Sequence, residues 1–351
     1  MTAKQKILLL VMMGLGLLIF LDIRAATSSS GVYVYASEQA NTHWSVAKNF
    51  AEWGVWGISP YQFSSASSSP LFTFLLSILI KIFGNSNYIP LIANSLAALF
   101  LISILHTYLK QFTIRIYAIF MIAIILLMPL HKEITAGTEY VFYSLSMILF
   151  LRAFQKYLAS ETPRNFSNMA LLSILATGFR YESLILIFFF CAYLVIIRND
   201  FVKSLALWCC AIMPLLVYGW ISVSHGSSFL PVYMFPRLET TDGVKDLLKN
   251  LSGNAYQGAT VLILMLFLLI QIFIQSGTQK TLADKISKNP LAAVVFCGVA
   301  AQLVIAPIVG IVINQSASIV MILFTLAPIT NDFIQKKVGN TELKSPQNSE
   351  F

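Results

Sequence analysis

Leu71-Phe72-Thr73-Phe74-Leu75-Leu76-Ser77-Ile78-Leu79-Ile80-Lys81-Ile82-Phe83 is the run on which the fold turns. It falls short of the roughly 20 apolar residues that a helix needs to cross a hydrocarbon core, and Lys81 interrupts it. Ten other runs come closer to that length: 7–22, 88–109, 113–130, 140–158, 166–180, 183–198, 202–223, 258–276, 291–312 and 318–334. Suppose that 71–83 does not cross and that the N-terminus is cytoplasmic. Of the 23 Lys and Arg, the outer side then holds only Arg24, Lys48, Lys81, Lys132, Arg180, Arg237, Lys245 and Lys249. Letting 71–83 cross would invert all that follows and expel Arg152, Lys156, Arg164, Lys280, Lys285 and Lys288. Cytoplasmic flanks carry the excess of Lys and Arg, so 71–83 is expected to be a short re-entrant or interfacial helix.

The whole composition agrees. Of 351 residues, 57% are hydrophobic and 11% charged, against about 25% charged in ordinary soluble domains, which excludes a soluble enzyme. The formal charge of +8 therefore bears on membrane orientation, and no nucleic-acid partner is expected. The fold class expected is all-α: a polytopic membrane protein of about ten transmembrane helices filling 1–338, with outer loops 23–87 and 224–257. A cytoplasmic tail, 339–351, is polar and is expected to be disordered. The first run follows Lys4 and Lys6, but Ile23-Arg24-Ala25 is a poor cleavage site, so it reads as a retained anchor. Cys191, Cys209, Cys210 and Cys297 lie in apolar runs without metal-ligand spacing and read as small core residues.

Upstream of 71–83, Ala36, Ala40, Trp44, Ala47 and Ala51 recur at spacings of three and four, which predicts an amphipathic helix on the bilayer surface. Its other face offers Glu38, Asn41, Ser45, Lys48 and Glu52. Glu38 can hold a reactive carboxylate at headgroup height, or can complement the helix dipole behind a Ser37 cap, an effect of about 0.3–1 kcal/mol. No Asp or Glu lies near the middle of any predicted span, which speaks against a proton-coupled transporter.

The stretch from Ser37 to Gly84 resembles the first outer loop of integral-membrane glycosyltransferases of the GT-C superfamily, in particular bacterial enzymes similar to the terminal arabinofuranosyltransferases. Lys48-Asn49-Phe50-Ala51-Glu52 matches the family's R-N-L-A-E helix end, Gly57-Ile58-Ser59-Pro60 its following strand, and Ser69-Pro70-Leu71-Phe72 its S-P-L-W. Farther on, Gly137-Thr138-Glu139 and Arg180-Tyr181-Glu182 fall where the family has G-x-E-T and R-P-E-G. The similarity covers about residues 33–196. The chain departs from the pattern in having Glu38-Gln39 for an adjacent acidic pair, in Tyr181 for the proline, and in ending soon after the tenth span without the large extracellular domain of many relatives.

The resemblance implies transfer of a sugar from a polyprenyl-phosphate donor to a cell-surface glycan or lipid acceptor, on the outer face of a bacterial inner membrane. A base near the acceptor hydroxyl and cations near the departing phosphate are then required. Glu38 is the candidate base. Arg180, whose guanidinium grips two oxygens, is the leading phosphate ligand, ahead of Lys81 and Arg237. Glu139, Glu182, His131 and Lys132 are further candidates. Arg180 can equally snorkel from a helix end, and Glu139 can be a helix-start acid. Outer carboxylates can hold a divalent cation, but nothing in their spacing converges, and no cofactor is assigned. The donor's tail needs an apolar groove, for which Phe142, Tyr143, Phe150 and Phe154 are candidates, with helix packing as their other use. A flippase or transporter of lipid-linked sugars and an O-antigen-type polymerase are the competing readings. The first lacks intramembrane charges, and the second lacks a long first outer loop with an amphipathic helix.

Overall fold

The computed structural model describes residues 1–28, 31, 33–35, 37–230, 255–276, 289–308 and 315–342, without the side chains at 255–256, 273–276, 306–308 and 333–342. These residues form thirteen helices and no strand. In chain order they are α1 (Ala3–Thr27), α2 (Glu38–Trp53), α3 (Pro70–Phe83), α4 (Ile89–Leu109), α5 (Ile114–Leu127), α6 (Leu130–Ala136) and α7 (Tyr140–Ala159). The series continues with α8 (Pro163–Phe179), α9 (Ser183–Ile196), α10 (Phe201–Ser224), α11 (Ala255–Ser276), α12 (Pro290–Ile308) and α13 (Gln315–Glu342).

Among the described residues each of the ten long apolar runs falls mainly on helix, with 113–130 divided between α5 and α6. Among the described residues three helices, α1, α4 and α10, are long and apolar enough to cross a membrane alone, and α5 with α6, bent by 42°, would make a fourth as one broken span. By contrast α8 and α9, of 17 and 14 residues, fall short of that length. The 14 residues of α9 rise only about 21 Å, against a core about 30 Å thick. The outward faces are nevertheless apolar: Leu10, Met13 and Leu17 on α1, and Val202 and Trp220 on α10, are each at least 60% exposed. Such a continuous apolar surface is uncommon on a protein bathed in water and fits membrane association.

Hydrogen bonds between distant helices show which ends lie together. At one end Lys4 donates to the carbonyls of Lys110 and Phe112 in the α4–α5 turn, and the Thr113 N–H donates to Asn331 on α13. At the other, Tyr33 donates to the Thr135 carbonyl, Ser316 to Glu133, and Gln302 to the Glu182 carbonyl. This second end collects the termini of α1, α6 to α9 and α13, with α2 and α3 folded across it.

Both short elements follow local rules. Ser37 caps α2, its hydroxyl accepting from the Ala40 N–H, and Gly54 closes it in the left-handed conformation. Pro70 opens α3, where no N–H partner is lost. The two helices pack together through Ala47, Phe72, Leu76 and Ile80, while Phe74, Ile78, Ile82 and Phe83 face outward. α3 has 14 residues, the same number as α9.

Three expectations are corrected. Residues 57–60 form a turn and no strand, because the Ser64 N–H donates to the Trp56 carbonyl and Asn49 donates to the carbonyls of Gly57 and Ile58. A Cβ on Gly57 would stand 2.0 Å from the Gln62 carbonyl oxygen, so the turn requires glycine. Of the cysteines only Cys191 is buried; Cys209 and Cys297 are exposed, since their helices turn those positions outward. Of the two uses open to them, Tyr143, Phe150 and Phe154 take helix packing: the two phenylalanines pack edge-to-face on Phe190, and all three belong to the core. The predicted disordered tail begins too early, since α13 continues to Glu342; residues 343–351 lie outside those described.

Candidate functional site

The residues of Gly137-Thr138-Glu139 and Arg180-Tyr181-Glu182 meet at the end of the bundle covered by α2 and α3. Gly137 ends α6 with φ +72°, and a Cβ there would lie 2.4 Å from the Tyr35 ring. Only glycine lets the chain turn so tightly beneath Tyr35 and bring Glu139 to the start of α7. Arg180 ends α8 and Glu182 begins α9. Each carboxylate thus sits at the positive end of a helix dipole and the guanidinium at a negative one.

Arg180 joins the two carboxylates. Its Nη1 donates to Glu139 Oε1 at 2.7 Å and its Nε to Glu182 Oε2 at 3.0 Å, while Nη2 donates to Glu182 Oε1. The Tyr140 ring lies against the guanidinium, 4.9 Å from centroid to carbon. Glu139 Oε1 also accepts from Gln39 Nε2 at 2.7 Å and from Ser68 Oγ at 3.4 Å. Its Oε2 lies 3.1 Å from His43 Nε2. On the other side of that ring, Nδ1 is 2.8 Å from Thr73 Oγ1 and 3.2 Å from Ser67 Oγ. Gln39 Nε2 also donates to Ser68, and its Oε1 accepts from Tyr140.

The network is closed to solvent, with Glu139 and His43 both wholly buried. Burial by itself would raise the Glu139 pKa, but the His43 and Arg180 charges and the His43 hydrogen bond outweigh it and hold the carboxyl down, at about 2. Glu139 is therefore a fixed anion that orders its donors, and a poor proton acceptor near neutral pH.

An apolar cavity of about 740 Å³ lies beside this network, between α3, α8, α10 and the turn after α2. Its wall reaches the network at two places, Tyr181, between Arg180 and Glu182, and Pro70, which follows Ser67–Ser69. Trp56 donates to the Tyr218 hydroxyl across it, and Phe63 stacks on His225 at 4.7 Å. Gly178 brings α8 close against Leu71 of α3.

The other candidates named from the sequence do not join this network among the described residues. Glu38 is exposed as the first residue of α2, without a side-chain partner among the described residues, one position from Gln39. It is Gln39 that enters the network. Lys81 is exposed and donates to the Ala51 carbonyl, tying the end of α3 to α2. His131 lies 3.9 Å from Asp22, and Lys132 is exposed beside a second cavity, of about 470 Å³, that Asp22, Ser37 and Thr135 also line. Neither touches the Arg180 network. Arg237 lies outside the described residues.

His43, Ser67, Ser68 and Thr73 were not anticipated. His43 had a signal, since it stands between Ala40 and Ala47 at helical spacing on the stripe that α2 buries. The hydroxyls had none, because a serine-rich run before a proline reads as an ordinary loop. Among the described residues no group of three His, Cys, Asp or Glu could hold a metal ion. No family model, curated protein or solved structure matches the chain.

Proposed function

We propose that the chain is a ten-span glycosyltransferase of the bacterial cytoplasmic membrane, with both termini cytoplasmic. It moves a sugar from a polyprenyl-phosphate donor to a cell-surface glycan or lipid acceptor at the outer face. The observation that carries this reading is the juxtaposition of a buried Arg180–Glu139–Glu182–His43 network with an apolar cavity of about 740 Å³. Ionisable groups buried at the end of an apolar bundle are costly, and they are retained chiefly where they handle a polar group. The cavity supplies what a lipid tail needs, and the network supplies a cation one residue from its wall.

In this reading the acceptor oxygen attacks the anomeric carbon of the sugar, the bond from that carbon to the phosphate oxygen breaks, and polyprenyl phosphate leaves. The acceptor proton goes to a carboxylate. Glu139 is a poor choice because its pKa is held at about 2. Glu38, exposed and next to Gln39, takes the proton, and Arg180, next in sequence to the cavity-lining Tyr181, supplies positive charge that offsets the departing phosphate. The test is transfer of labelled sugar from a synthetic polyprenyl-phosphate donor by wild type and Glu38→Gln. Loss of a general base costs roughly 10²- to 10⁴-fold, while loss of a helix-dipole contact costs under about 1 kcal/mol and leaves turnover almost intact. Equal rates would remove Glu38 from the mechanism.

A further inference from the structure

The network side of the apolar cavity carries two polar groups that the fold leaves unanswered. Tyr181 lines the cavity, and its buried hydroxyl has no hydrogen-bond partner among the described residues. Ser69 is the N-cap residue of α3, yet its side chain makes no capping bond, and its hydroxyl is likewise buried and unpartnered. Ser69 directly precedes Pro70 and Leu71, both of which line the cavity. Buried hydroxyls in finished folds nearly always have partners, so two flanking one cavity call for explanation.

The N-terminus of α3 is a third element in the same place. Pro70 has no N–H, and the first turn leaves the N–H groups of Leu71 and Phe72 without an intrahelical acceptor. Those groups and the helix dipole favour an anion. The rest of the cavity does not, because its walls are almost wholly aromatic and aliphatic, among them Phe50, Phe74, Ile174, Leu175, Met213 and Val217. Of its polar groups, the Tyr218 hydroxyl is already taken by Trp56. An occupant that suits both parts has one anionic, oxygen-rich end and one long apolar body.

We infer that this end of the cavity seats the phosphate ester of a single-chain lipid, held by the α3 N-terminus and the hydroxyls of Ser69 and Tyr181, with the chain lying along the apolar walls. The inference rests on the proposed function and deepens it by naming residues that grip the donor. Tyr181 is the telling member, because it lines the cavity itself and its hydroxyl is unpartnered among the described residues. Ser69 and Tyr181 are positioning residues, since neither is asked to move a proton.

The test is binding of farnesyl phosphate, and of the hydrocarbon farnesene, to full-length protein in phosphatidylcholine nanodiscs, for wild type, Tyr181→Phe and Ser69→Ala. Each substitution removes a hydroxyl that has no partner among the described residues, so thermal midpoints should hold or rise. Farnesyl phosphate should bind about tenfold more weakly to each variant, the loss of one hydrogen bond to a charged acceptor, while farnesene binding stays unchanged. Unchanged farnesyl phosphate affinity in both variants would overturn the inference. So would a lowered midpoint with equal losses for both ligands, which would mark the hydroxyls as structural. Dodecyl phosphate separates two sources of the same chemistry: weaker binding than farnesyl phosphate supports a prenyl donor, and equal binding keeps the seat but counts against one. A protein that binds farnesyl phosphate through these hydroxyls yet transfers no sugar would keep the seat and lose the transferase. Sugar transfer with affinity unmoved by both substitutions would do the reverse.

Discussion

Replacing Arg180 by lysine should destabilise the fold as well as impair transfer. A phosphate grip alone would make transfer the larger loss, but the arginine is buried and three of its N–H groups are spent on two carboxylates. An ammonium is a point charge and cannot reach Glu139 and both oxygens of Glu182 together. At least one carboxylate is then left buried without its cation. Breaking a buried pair from one side costs about 3–5 kcal/mol, with loss of the Tyr140 ring contact adding to it. The assay is unfolding of wild type and Arg180→Lys by sodium dodecyl sulfate titrated into dodecylmaltoside micelles, followed by tryptophan fluorescence. A loss below about 1 kcal/mol would mean that the network is open to water, where ion pairs contribute little, and would refute the argument.

Two further outcomes follow from topology and charge. Cysteines introduced at Asn85 and Gln111, both exposed at opposite ends of α4, should differ in intact cells, with an impermeant maleimide labelling Asn85→Cys and sparing Gln111→Cys; the opposite pattern would invert the bundle. Glu139 has its pKa depressed from 4.5 to about 2, so its contribution to stability is full above about pH 5 and fades as pH falls towards 2. The thermal midpoint should drop through that window in wild type and less steeply in Glu139→Gln; parallel pH profiles would show that Glu139 is not held as an anion.

How far the sequence could be read depended on whether a feature is local. Apolar runs are local, and among the described residues each of the ten coincides mainly with helix. The shortness of Leu71–Phe83 was likewise visible, because run length and one lysine suffice to judge it. Glu139, Arg180 and Glu182 stood out as charges at helix ends, but that both carboxylates share one guanidinium depends on how α7, α8 and α9 meet, which no spacing encodes. Gln39 was legible only as the loss of an acid, whereas in the fold its neutrality has a use. The use of the α7 aromatics stayed open in the sequence for a similar reason. Aromatic residues at helical spacing on α7 look alike whether they face a lipid or another helix, and here Phe150 and Phe154 face Phe190.

Gln39 brings these strands together, and its replacement by glutamate tests them. The amide Nε2 lies 2.7 Å from Glu139 Oε1 and 2.6 Å from Ser68 Oγ, donating to both, while its oxygen accepts from Tyr140. Gln39→Glu keeps the shape but puts a carboxylate oxygen against another carboxylate, already held ionised by His43 and Arg180. Two such groups cannot share the site as anions, so the new carboxyl must take a proton, its pKa pushed well above the usual range. A protonated carboxyl donates once where the amide donates twice, and one buried acceptor contact is lost, at about 1–3 kcal/mol. A raised pKa gives stability that is present at low pH and lost as pH rises through it. The variant should therefore match wild type most closely near pH 5 and fall progressively behind towards pH 8. Gln39→Leu, which loses both donors without adding a charge, should show a loss that does not vary over that range. Thermal midpoints of the three proteins from pH 5 to 8 decide it: a pH-independent deficit in Gln39→Glu would mean that the carboxylate at position 139 is not the neighbour that keeps this side chain neutral.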